Sequence, residues 1–70
     1  MQVWSEGFAA TGESGGAVLH GEVEAATLQE ACDRLAERDP SFRAHYNRAH
    51  MTFWGCRLFD NEVAARRSYG

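Results

Sequence analysis

From Gln2 to Ala10 the apolar residues Trp4 and Phe8 recur at period two, with Glu6 between them, while Val3, Ser5, Gly7 and Ala9 point the other way. That alternation predicts a strand. Thr11-Gly12-Glu13-Ser14-Gly15-Gly16 follows, and its glycines tolerate the positive φ that a hairpin connection demands. A second strand is expected over Ala17 to Ala25. Ala17, Leu19, Gly21, Val23 and Ala25 make a small-apolar face expected to meet the core; Val18, His20, Glu22 and Glu24 make the opposite one.

The period then changes. Thr27 and Glu30 have the spacing of a capping box, in which the hydroxyl accepts from the third helical residue and the carboxylate reaches back to the cap. Leu28, Ala31, Cys32, Leu35 and Ala36 run i, i+3, i+4, i+7, i+8, one stripe on a 3.6-residue helix. Glu30 and Arg34 add an i,i+4 pair in the favourable order. Pro40 ends this helix, because the residue before a proline is pushed out of the α region. Residues 40 to 50 hold Phe42 and Tyr46 among polar groups and fit either a loop or one short helical turn. Met51 to Phe59, rich in aromatic and branched residues, predicts a third strand, central and buried on both faces, with Gly55 at a bulge or close backbone approach. Asp60 and Asn61 can cap a final short helix through Val63, Ala64 and Arg67, ending near Tyr69 and Gly70. The expected fold is α+β. It is a single domain over residues 1–70: a three-stranded antiparallel sheet with one helix packed on one face (β-β-α-β) and a short C-terminal helix.

Seventy residues hold only one core, and without staples its net stability should be about 3–5 kcal/mol. Monomer or weak homodimer is the expected state. Cys32 and Cys56 lack C-x-x-C spacing and Met1 is not followed by a basic and then apolar leader, so a cytoplasmic protein with reduced thiols is expected. No apolar run approaches the length of a bilayer span. The charge is split by position: residues 1 to 42 carry eight carboxylates against two arginines, and residues 43 to 70 carry two against five. The formal net charge of −3 conceals this asymmetry, which concerns partners rather than fold.

Candidate chemistry is sparse. Gly12-Glu13-Ser14-Gly15-Gly16 matches G-x-S-x-G, but a nucleophile elbow needs a strand-to-helix turn in a large α/β sheet, and these glycines join two strands. A P-loop needs a lysine, and the chain has none. His20, Cys32, His50 and Cys56 lack the short-range pairing of zinc ligands, so no metal or other cofactor is expected. The cysteines read as small core hydrophobes. His20, beside Glu22 on the polar face, reads as a surface histidine whose proton affinity the carboxylate raises. His45 and His50 belong to no constellation. No carboxylate pair has an acid–base setting, so no enzyme and no small-molecule substrate are expected.

Thr52-Phe53-Trp54-Gly55-Cys56-Arg57-Leu58-Phe59-Asp60-Asn61-Glu62, followed by Ala65-Arg66-Arg67-Ser68-Tyr69-Gly70, resembles the ending of a family of small proteins of phages, prophages and other mobile elements. Trp4-Ser5-Glu6-Gly7-Phe8 and Thr11-Gly12-Glu13-Ser14-Gly15 resemble its opening, and residues 38 to 50 lie outside the resemblance. The resemblance implies a non-enzymatic inhibitor of host defence, of anti-CRISPR type, that binds a protein or nucleoprotein effector complex in the host cytoplasm and blocks target DNA binding. The residues expected to meet that complex are the acids Glu13, Glu22, Glu24, Glu30, Asp33, Glu37 and Asp39, whose charge complements a DNA-binding groove. The alternative is a small nucleic-acid-binding regulator using Arg57, Arg66, Arg67 and Tyr46 of the arginine-rich, aromatic back half.

Overall fold

A computed structural model describes residues 1–6 and 17–69 of the chain. Among the described residues, five strands and three helices follow in order: β1 (Gln2–Ser5), β2 (Val18–Glu22), α1 (Leu28–Arg38), α2 (Pro40–His45), β3 (Tyr46–Asn47), β4 (Thr52–Phe53), β5 (Cys56–Phe59) and α3 (Glu62–Tyr69). The strands form one curled antiparallel sheet in the order β2-β1-β5-β4-β3. The α+β class and the C-terminal helix are as the sequence predicts; the three-stranded sheet is not. The expected hairpin loop and the end of the first strand, residues 7–10, lie outside the described residues.

The sheet gains strands because the Met51–Phe59 stretch folds back on itself. Phe53 pairs with Cys56, so Trp54 and Gly55 form a two-residue turn, with φ of 53° and 77°. Positive φ at both central residues is the geometry whose twist matches a hairpin. Gly55 therefore serves a turn rather than a bulge, and the single long strand becomes β4 and β5. Only β5 is central. It is buried on one face, through Cys56 and Leu58, while Arg57 is exposed and Phe59 half-buried. Residues 40–47, left open by the periodicity, become α2 and β3. Asp39 Oδ1 caps α2 by accepting from the backbone of Ser41 (2.9 Å) and Phe42 (3.3 Å). Pro40 stands at the first turn of α2, where its missing N–H costs nothing. One residue thus stops α1 and starts α2.

α1 is built as its pattern dictates. Thr27 Oγ1 accepts from the Glu30 backbone at 3.2 Å, and Ala31, Cys32, Leu35 and Ala36 are buried. The Glu30 carboxylate does not close the capping box; it pairs with Arg34 Nη2 at 2.8 Å. The buried stripe joins Val3, Val23, Phe42 and Leu58 in the core.

The faces of β2 depart from the expected alternation. Val3 is opposite Gly21 but Trp4 is opposite Leu19, which leaves His20 as the extra residue of a bulge. A bulge reverses the alternation beyond it. Leu19 consequently leaves the expected core face and is 48% exposed. His20 turns inward against Phe42 and Phe53, with ring centroids 5.4 and 4.3 Å away. Its Nε2 lies 2.8 Å from Ser5 Oγ. The expected surface histidine with raised proton affinity is instead half-buried, and burial pushes its pKa down against the opposing charge of Asp39.

Candidate functional site

The acidic residues do not assemble into one surface. Glu30 is held by Arg34, and Asp33 is held twice: both its oxygens accept from Arg48 Nε at 3.2 Å, and Oδ1 accepts from the Tyr46 hydroxyl at 3.0 Å. Asp39 is committed to the α2 cap and to the surroundings of His20. Glu13 lies outside the described residues. Glu22, Glu24 and Glu37 are exposed and make no ion pair among the described residues. Two of these, Glu24 and Glu37, line a shallow groove with Arg34 and Arg38, so the local field is mixed in sign. The Arg38 guanidinium also donates to the Glu22 carbonyl at 3.1 Å.

The basic set divides as well. Arg66 pairs with Glu62 at 2.6 Å along α3. Tyr46 stacks on Phe42 with centroids 5.2 Å apart, and burial together with the Asp33 hydrogen bond raises the pKa of its phenol. It is half-buried against the core, with its ring engaged by Phe42 and its hydroxyl by Asp33. Arg57 and Arg67, by contrast, converge. They line a groove of about 460 Å³ between β5 and α3, with Phe59, Val63 and Ser68 along its walls. Neither arginine has an ion-pair partner among the described residues. The Arg57 guanidinium carbon stands 5.6 Å from the Phe59 ring centroid, within cation–π range.

Strand register extends this groove into a platform. Trp4 of β1 is opposite both Leu19 of β2 and Phe59 of β5. Directly opposed residues share a face, so Leu19, Trp4 and Phe59 form a row across three strands. The row lies on the face away from α1, because α1 packs against Gly21 and Val3 through Leu35. Sequence reasoning missed this platform by assigning Leu19 to the core and all of 51–59 to a doubly buried strand. Only the β2 bulge and the strand register make it visible.

Glu6 fixes the groove in place. One carboxylate oxygen accepts from the Arg57 backbone N–H at 2.7 Å, and the other from the Ser68 hydroxyl at 2.6 Å. A single side chain therefore ties β5 and α3 to the end of β1.

A second exposed aromatic site sits at the β4–β5 turn. Trp54 is 60% exposed and stacks on His45 with ring centroids 3.9 Å apart and planes 28° from parallel. Gly55 was the available sequence signal, since the second central position of such a turn takes positive φ and favours glycine.

Other chemistry finds no assembled site among the described residues. No three His, Cys, Asp or Glu side chains are grouped to hold a metal. Cys32 and Cys56 are free and buried; burial and Asp33 push the Cys32 thiol up to about 11, and burial and Glu6 raise that of Cys56. Such thiols are poor nucleophiles at neutral pH. No helix among the described residues is long and apolar enough to cross a membrane. The chain matches no protein-family model, no curated protein and no solved structure.

Proposed function

We propose that this chain is a non-enzymatic binding module that holds single-stranded nucleic acid on the Leu19–Trp4–Phe59 face of its sheet. The observation that carries the reading is that Arg57 and Arg67, whose guanidinium groups form no ion pair among the described residues, line one groove walled by Phe59. Guanidinium groups neutralise phosphates, and aromatic faces stack on bases whatever their identity. The acids of α1 lie across the sheet from this face, where they repel a bound strand least. The binding is short-ranged, because the net charge of −3 does not steer an anion toward the protein.

Titrating a fluorescently labelled oligothymidylate with protein over a range of salt concentrations tests this. Each phosphate contact contributes about 0.7 to the slope of log K against log salt for a single strand, so the Arg57→Gln/Arg67→Gln double variant should lose about 1.4. An unchanged slope, or no binding by the native protein at low salt, overturns the reading.

The second reading is the anti-CRISPR-type inhibitor acting on a host-defence effector complex through acidic surface. What favours it is that Glu22, Glu24 and Glu37 are exposed and unpaired among the described residues. Its test is whether saturating protein displaces target DNA from a purified effector complex, and whether reversing those three charges abolishes the effect. This second reading places the protein in the cytoplasm of a bacterial host.

A further inference from the structure

We infer that Trp54, held against His45 at the β4–β5 turn, is a second base-stacking site for the single strand bound at the Arg57–Arg67 groove. The inference rests on the nucleic-acid reading above. Its starting point is a conflict between residue and backbone. Trp54 occupies φ 53°, a region where a side chain with a Cβ is unfavourable and where asparagine or glycine is preferred in such turns. The ring gains little burial in return, being 60% exposed.

The surroundings nevertheless hold it firmly. The Trp54 N–H donates to the His45 carbonyl at 3.1 Å, and the imidazole supports one face of the indole. A large aromatic surface, supported on one face by the imidazole, is thereby presented to solvent. Preorganised aromatics of this kind are what binding sites use as anchors.

Charge selects the occupant. From Pro40 to Phe59 there is no carboxylate, while Arg43, His45, Arg48, His50 and Arg57 all fall in this span. Asp33 of α1 neutralises only Arg48. An aromatic tip in a carboxylate-free, arginine-bearing segment suits a ligand that is itself anionic and aromatic, which is an unpaired nucleotide. β5 runs directly from this turn to Arg57 and Phe59. The three residue steps of β5 span about 10 Å at about 3.3 Å each, and even five fully extended steps would separate the two stacking points by no more than roughly 16 Å, within reach of one short oligonucleotide.

The experiment uses the two tryptophans against each other. Trp4→Phe keeps an aromatic at the platform and leaves Trp54 as the sole tryptophan, so its emission reports on the turn alone. An oligothymidylate of about 15 nucleotides should quench that emission at the same protein concentration at which anisotropy of the labelled strand reports binding. Trp54→Ala should weaken binding by about tenfold, while Trp54→Phe retains most of it. Binding with unquenched Trp54, or with Trp54→Ala at native affinity, overturns the inference and leaves the groove reading standing. Emission that shifts with protein concentration in the absence of nucleic acid assigns the turn to a second copy of the chain and also overturns it. Absence of any binding at low salt overturns both readings together.

Discussion

Acidifying the protein from about pH 7.5 to about 5.5 should destabilise it through one imidazole. His20 is wedged between Phe42 and Phe53, its Nε2 2.8 Å from Ser5 Oγ, and burial holds its pKa below the ordinary 6.5 despite the opposing influence of Asp39. In the folded state the ring stays neutral while the unfolded chain begins to take up a proton as the pH falls through 6.5. The unfolded state then binds more protons, so stability falls with falling pH from 6.5 until the folded-state pKa is reached, and is fully present above 6.5. One proton limits the slope to about 1.4 kcal/mol per pH unit, and because His20 is only half-buried, solvent screening keeps the loss below that ceiling. The control must remove the titration without creating an orphan. Ser5 is only 4% exposed, so His20→Phe alone strands its hydroxyl at a cost of about 1–3 kcal/mol. The His20→Phe/Ser5→Ala double variant removes both partners and should be nearly neutral at the upper pH. Urea denaturation followed by circular dichroism, repeated across the pH range, reads both proteins. Carboxylate titration is common to the two and cancels. If native protein and double variant lose stability in parallel between these pH values, the assignment of His20 as a buried neutral group is wrong.

Gly21→Ala should lower the urea midpoint with an unchanged m-value. Its new Cβ would stand 3.0 Å from Leu35 Cδ1 and 3.2 Å from Arg38 Nη2. Arg38 can swing into solvent, but Leu35 is 1% exposed and has nowhere to move, so overpacking of about 1–3 kcal/mol is expected. Glu6→Ala should loosen α3 before the rest of the fold, because it deletes the carboxylate that accepts from both Arg57 and Ser68. Hydrogen exchange in residues 62–69 should accelerate more than in α1, at an overall cost of about 1–3 kcal/mol, and equal acceleration in both helices would show that the Glu6 tie is not specific to α3.

The sequence by itself determined what local chemistry determines. The Thr27 cap, the apolar stripe from Leu28 to Ala36 and the proline break at Pro40 each involve residues within a few positions of one another, and α1 follows them. α3 does likewise: Asn61 Oδ1 accepts from the Ala64 backbone at 2.7 Å, as its place before the last helix predicts. Tertiary structure decided everything that depends on who sits opposite whom. Periodicity cannot register the extra residue at His20, yet that one residue turns His20 inward and frees Leu19 to join Trp4 and Phe59, while Gly21 keeps its expected core side. Nor could a run of aromatics from Met51 to Phe59 disclose that Trp54 and Gly55 turn the chain back, since either a long strand or a hairpin satisfies the same composition.

The charge split shows the difference most plainly. Counting separates an acidic front from a basic back, but Asp33 pairs with Arg48 across that divide, while Arg57 and Arg67 line one groove and neither guanidinium forms an ion pair among the described residues. A count records how many charges a segment carries. Which of them remain available to a partner is set by distances of a few ångströms between residues far apart in the chain, and those exist only once it has folded.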